Sequence, residues 1–170
     1  MVRCPASTGT MRVLVFGNSG SGKSRLSQRL AAKNRLRVLD LDTVVWSPVA
    51  VFRPDHEIIA ELLRFVQTNT SWIIEGCYGR WMEHLLPHAT EMVFMNPGEA
   101  ACLSNCLARP WEAHKYASKE EQDAKLALLL DWVCRYYARS DHMSLQAHRR
   151  LFDSYNGNKR EITANEPDAF

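Results

Sequence analysis

The sequence contains no run of about 18 apolar residues, the length a membrane-spanning helix needs. Residues 1–10 carry one basic side chain, Arg3, and no apolar stretch, so they do not read as a secretory signal. Met1–Thr10 reads instead as a disordered extension, with Met11 as an alternative start just ahead of the first strand. The five cysteines (Cys4, Cys77, Cys102, Cys106 and Cys134) are odd in number and include no C-x-x-C pair. A disulfide framework is therefore not expected, and a reducing cytoplasm fits. Cys102 and Cys106 are spaced i, i+4 beside Ala101 and Leu103 and read as buried free thiols. The net charge is only +2, too small to argue for nucleic acid on bulk electrostatics. His148-Arg149-Arg150 and Lys159-Arg160 are the densest basic clusters and read as solvated charges. His84, His88 and His114 have no metal-ligand spacing. No repeat, low-complexity stretch or linker interrupts residues 11–170, which read as one domain.

One short segment carries most of the functional signal. Gly17-Asn18-Ser19-Gly20-Ser21-Gly22-Lys23-Ser24 fits G-x-x-x-x-G-K-[ST] and directly follows the apolar run Val13–Phe16. A strand delivers the chain to a turn, the glycines let the backbone curl, and successive N–H groups point at phosphate oxygens. The following helix adds its positive N-terminal end. Lys23 would reach the β- and γ-phosphates of a nucleoside triphosphate, and the Ser24 hydroxyl would ligate Mg²⁺.

The remaining pattern alternates strands with helices. Strands are expected at Arg12–Phe16, Val38–Leu41, Ser71–Gly76, Glu91–Met95 and Arg160–Thr163. Helices are expected at about Gly22–Lys33, Pro54–Gln67, Arg80–Leu86, Gly98–His142 with a break at Pro110, and Leu145–Ser154. Ile59, Leu62, Leu63 and Val66 form the i, i+3, i+4, i+7 stripe of the second helix. Trp72-Ile73-Ile74 is continuously apolar, as in a strand buried on both faces. The alternation implies an α/β, doubly wound parallel sheet.

In such a sheet the ligand lies at the carboxyl ends of the strands. Asp40 and Asp42 end the second strand, and Glu75-Gly76 ends the third with Tyr78 and Arg80 just beyond. Asp42 would orient or deprotonate an acceptor hydroxyl, or hold Mg²⁺ through water. Glu75 would hold Mg²⁺ through water, and Arg80 would clamp an anionic part of a substrate. Arg109, Lys115, Arg135 and Arg139 are the candidate cations for closing over a γ-phosphate. They fall in a helical lid region at about residues 109–140, whose polar gap from Trp111 to about Gln122 would be its mobile part.

Several segments together resemble a known family. They are Gly17–Ser24, Leu39-Asp40-Leu41-Asp42 with Trp46, and Ser71 through Cys77-Tyr78-Gly79-Arg80. Val93-Phe94-Met95, Cys102-Leu103, Arg109, Trp132 and the segment from Tyr155-Asn156-Gly157 to Phe170 extend the likeness. The chain resembles the adenylate-kinase-related P-loop proteins of the DNA topology modulation (FlaR-type) family over nearly all of Met11–Phe170. That resemblance implies a P-loop NTPase three-layer sandwich of the nucleoside-monophosphate-kinase kind, with a five-stranded parallel sheet ordered 2-3-1-4-5. It also implies ATP or GTP with Mg²⁺. The family usually has Asp where this chain has Glu75, Asn where it has Cys77, and often a basic residue where it has Asn105.

The expected function is transfer of the γ-phosphoryl group of Mg-ATP to a small nucleotide-like or hydroxyl-bearing acceptor. The alternative is a nucleotide-dependent regulatory ATPase associated with DNA. A third reading, phosphorylation of nucleic-acid ends, combines the two. No sequence motif supports nucleic-acid binding, and the oligomeric state stays open between monomer and homodimer.

Overall fold

A computed structural model describes residues 9–49, 51–113 and 116–164. The expectations for residues 1–8, which include Cys4, and for His114, Lys115 and residues 165–170 lie outside the described residues. Five parallel strands form one sheet: β1 (Arg12–Gly17), β2 (Arg37–Asp40), β3 (Trp72–Gly76), β4 (Glu91–Met95) and β5 (Asn158–Ile162). Their order is β2-β3-β1-β4-β5. The helices are α1 (Lys23–Asn34), α2 (Asp42–Val45), α3 (Asp55–Thr68), α4 (Gly79–Met82), α5 (Glu99–Leu107), α6 (Lys119–Ala124), α7 (Leu126–Arg135) and α8 (Leu145–Ser154). A 3-10 turn, Glu83–His88, follows α4.

The central strand shows why the sheet is covered on both sides. Leu14 and Phe16 point into a core shared with Ile58 and Leu62 of α3, Trp81 and Met82 of α4, and Leu151 of α8. Val13 and Val15 point the opposite way, onto Leu26 and Leu30 of α1. Alternation of side chains along a strand makes this division unavoidable. Each large apolar side chain so buried contributes about 1.5–3 kcal/mol relative to exposure. The ring of Phe16 stacks on Phe94 of the neighbouring strand at 5.1 Å. A third core joins α5 to α7 through Cys102, Cys106 and Val133. The two thiols are free and buried, as their spacing suggested.

Three differences from the sequence reading bear on the site. The second strand stops at Asp40, and Asp42 opens a helix rather than ending a strand. The Asp40 carboxylate accepts the Asp42 amide at 2.9 Å, an Asx-type turn that competes with the ladder. The helix expected from Gly98 to His142 breaks more widely than at Pro110 alone. It ends at Leu107, as the steric clash of Pro110 with a helical Arg109 requires. It restarts where Ser118 caps α6 by accepting the Glu121 amide, inside the expected lid gap. Finally, His148 is not a solvated charge but fully buried. The apolar stripe of α8 through Ala147 and Leu151 carries it inward.

Candidate active site

The Gly17–Ser24 loop joins β1 to α1, and its glycines are required by geometry. Gly17, Gly20 and Gly22 have φ of 148°, 74° and 93°, in the region that favours glycine. A Cβ on Gly17 would lie 2.1 Å from the Met95 carbonyl oxygen, and one on Gly20 would lie 2.3 Å from that of Cys102. The loop is therefore pressed against β4 and α5. Side-chain amides fix it further. Asn18 Nδ2 donates to the Val133 carbonyl at 3.0 Å, and its Oδ1 accepts the Ser19 amide at 2.8 Å. Asn105 Nδ2 donates to the Gly20 carbonyl at 2.8 Å. Asn105, where the resembled family often has a basic residue, thus braces the loop. Lys23 Nζ reaches across the curl to the Asn18 carbonyl at 2.8 Å.

A cavity of about 880 Å³ opens over this loop. Residues Ser19–Ser24 line it, as do Asp42, Glu75 and Arg109. Gly17 and Asn18 build the loop from behind. Asp40 and Glu75 stand opposite each other in the β2–β3 register, at the carboxyl ends of their strands. Glu75 is only 4 % exposed. Oxygen ligands of this kind suit a hard cation. Among the described residues no group of three or more His, Cys, Asp or Glu forms a complete metal cage. Mg²⁺ is usually held by one or two carboxylates together with substrate phosphates.

Asp42 is held by its neighbours. Tyr78 Oη donates to Asp42 Oδ1 at 2.5 Å and accepts from Trp46 Nε1 at 2.8 Å. Burial, then the adjacent Cys77 and Asp42, pushes the Tyr78 phenol well above its usual range, so it remains a donor. Trp46 bridges to Phe52 across a narrow antiparallel turn, and the two rings stack at 4.2 Å. Cys77 also lines the cavity; burial pushes its thiol up to about 11, against the opposing pull of Lys23. The Cys77 carbonyl accepts from His148 Nε2 at 2.8 Å, which leaves Nδ1 to accept the Tyr136 hydroxyl at 2.8 Å. Burial lowers His148 to about 3.

The arginines divide. Arg109 lines the cavity and pairs with Glu112 at 3.0 Å. Arg80 is not among the lining residues: its side chain is half exposed, paired with Asp55 and set over the edge of the core against the Trp81 ring. Arg139 is also absent from the lining. Its guanidinium lies 3.5 Å from the Trp132 ring centre and donates to the Met143 carbonyl at 2.6 Å, and burial lowers its pKa. Trp132 and Met143 themselves line the cavity, so Arg139 supports the wall from behind. Arg135 pairs with Asp131 on the exposed side of α7. Arg25 and Arg29 were not singled out from the sequence but line the cavity from α1. Their i, i+4 spacing just after Lys23 was the available signal.

No protein-family model matches the chain, and no curated protein matches it by sequence. Solved structures do match. A gluconokinase from Sinorhizobium meliloti 1021 aligns with a TM-score of 0.56 at 14% identity, over 93% of this chain and 85% of that one. A sugar kinase from Janibacter sp. HTCC2649 aligns with 0.54 at 13% identity, over 94% and 88%. A shikimate kinase from Bacteroides thetaiotaomicron aligns with 0.54 at 15% identity, over 93% and 89%. Likeness at this identity speaks to architecture. With helices on both faces of a parallel sheet ordered 2-3-1-4-5, the chain has the P-loop kinase fold of the nucleoside-monophosphate-kinase type.

Proposed function

We propose that the protein transfers the γ-phosphoryl group of ATP, or GTP, to a hydroxyl of a small acceptor with the help of Mg²⁺. The observation that carries this reading is that Lys23 and Ser24 share one continuous cavity with Asp42 and Glu75. The loop amides and Lys23 would hold the β- and γ-phosphates. Ser24, with Glu75 through water, would hold Mg²⁺, whose charge neutralises phosphate oxygens when it is bound. Asp42 takes the proton of the acceptor hydroxyl as its oxygen bonds to the γ-phosphorus. The bond from that phosphorus to the bridging oxygen breaks, and the nucleoside diphosphate leaves with the electron pair. Arg109 would contribute positive charge from the segment that follows α5, the start of the proposed lid at about 109–140. The DNA-associated ATPase reading rests on the family resemblance alone.

The test is incubation with γ-labelled ATP·Mg²⁺ and a panel of nucleosides, nucleoside monophosphates and sugar acids. Label in an acceptor is expected, and Lys23→Ala should abolish it while the fold is kept. Release of inorganic phosphate alone, with every acceptor, would contradict the reading.

A further inference from the structure

The walls of the cavity differ in character, and the difference bears on the acceptor. Beside Asp42 stand Trp46, Phe52 and Tyr78. Trp46 and Phe52 are 40% and 41% exposed although both are large and apolar. A face-to-face ring pair left open inside a concave site is a surface suited to covering by a ligand. Phe52 is also fixed edge-on by Tyr78 at 6.2 Å and by Trp81 at 5.4 Å, so the platform is braced before anything binds.

The polar atoms of this wall are already committed. Trp46 Nε1 donates to Tyr78, and the Tyr78 hydroxyl in turn donates to Asp42. Phe52 has none. A polyhydroxylated occupant would bring hydroxyls that find no partners on this wall, and unmatched buried polar groups cost binding. A flat, weakly polar ring would lose nothing there.

Resting on the phosphotransferase reading of this cavity, we propose that the acceptor is a molecule with a planar aromatic ring joined to the hydroxyl that is phosphorylated, as in a nucleoside. The ring stacks on the Trp46–Phe52 platform, and the hydroxyl reaches Asp42. Trp46 thereby links the two tasks, because the side chain that offers its face to the ring also holds Tyr78, and Tyr78 holds Asp42.

The experiment is calorimetric titration of the full chain with adenosine, cytidine, guanosine and uridine. The matching 5′-monophosphates, ribose and gluconate are titrated in parallel, and ATP separately. Saturable binding of at least one nucleoside, tighter than its monophosphate and the two sugar compounds, is expected. Phe52→Leu should weaken that binding about tenfold, the scale of one lost base–aromatic stack, while circular dichroism shows the fold retained. Trp46→Phe, which keeps a ring but removes the Nε1 donor, should keep nucleoside binding and slow transfer. Tighter binding or transfer with ribose, gluconate or a monophosphate would overturn the acceptor assignment and leave the phosphotransferase reading standing. So would ATP binding without any nucleoside binding, or unchanged nucleoside affinity in Phe52→Leu. Failure to bind ATP at all would overturn both.

Discussion

The Tyr78 hydroxyl donates to Asp42 Oδ1 at 2.5 Å while it accepts from Trp46 Nε1, so the orientation of this carboxylate is set from outside the loop that would bind phosphate. In Tyr78→Phe the carboxylate loses the hydrogen bond from the Tyr78 hydroxyl but the loop is untouched. A hydrogen bond to a charged group contributes about 1.5–3 kcal/mol, so transfer should slow about 10- to 100-fold. KM for ATP should stay within about twofold, since no donor-side contact is removed. Steady-state kinetics reads this directly; an unchanged kcat would mean that Tyr78 does not position Asp42.

Steric fit of the loop makes a second prediction. Gly20 has φ 74°, and a Cβ there would meet backbone, the Cys102 carbonyl oxygen, at 2.3 Å. Gly98 has a comparable φ of 91° but open space around it. Gly20→Ala should therefore combine strain with a clash and lower ATP affinity by at least about tenfold. Gly98→Ala should show only the strain cost, about 1–3 kcal/mol of stability, with ATP affinity kept. Thermal melts and ATP titrations on both variants separate the two effects. Equal losses of ATP affinity would refute the argument.

His148 gives a pH dependence with a definite sign. Burial, with lesser contributions from Lys23, Arg139 and His142, lowers it to about 3 from its ordinary 6.5, although its contact with the Cys77 carbonyl acts the other way. Below pH 6.5 the unfolded chain takes up a proton that the folded chain refuses. Stability is therefore fully present above about pH 6.5 and is lost as pH falls towards 3. The loss attributable to this residue should be ~2 kcal/mol between pH 7.5 and pH 5. Urea denaturation at the two pH values, compared with His148→Gln, checks it. An identical pH dependence in the variant would contradict it.

At lower pH a second pair takes over. Arg149 forks onto Glu161 at 2.6 and 2.8 Å, tying α8 to β5. The guanidinium, then the Asn96 amide, hold Glu161 below the usual carboxylate range. Stability from this pair is present above the ordinary Glu range and lost as pH falls through the lowered value. Because Arg149 is 40% exposed, screening limits the contribution to ~1 kcal/mol. Glu161→Gln should remove that amount at pH 7, and denaturation at pH 7 and pH 3 should then differ less than in the parent. A variant as stable as the parent at pH 7 would show that the pair contributes nothing.

How far the sequence alone reached follows from which interactions are local. The loop was legible because its glycines and lysine are contiguous and strand–turn–helix context is local. The parallel sheet was legible from the alternation of apolar runs with helical stripes, and its order came with the family resemblance. Asp42 and Glu75 could be nominated because strand ends converge, and Arg109 as a cation in the region that follows the fourth strand. What is long-range stayed hidden. Arg80 adjoins the site in sequence, yet it turns to Asp55 on α3, a partner no spacing rule indicates. Arg139 stacks on Trp132 behind the cavity wall rather than facing it. His148 looked solvated beside Arg149 and Arg150 because one inward position on α8 is not separable from its basic neighbours without knowing the face. The Trp46–Tyr78–Asp42 chain joins the two ends of α2 to the turn after β3 and has no sequence signature at all.

The central claim is that the loop is the donor half, and Asp42 the acceptor half, of one transfer site. Its most direct test is the fate of γ-labelled phosphate from ATP in the parent protein and in Asp42→Asn, with a phosphorylatable acceptor present. The parent should deliver label to the acceptor. Asp42→Asn should bind ATP as the parent does yet transfer about 10²- to 10⁴-fold more slowly, the usual contribution of a positioned general base. Transfer at the parental rate in Asp42→Asn, or label recovered only as inorganic phosphate from the parent, would contradict the claim.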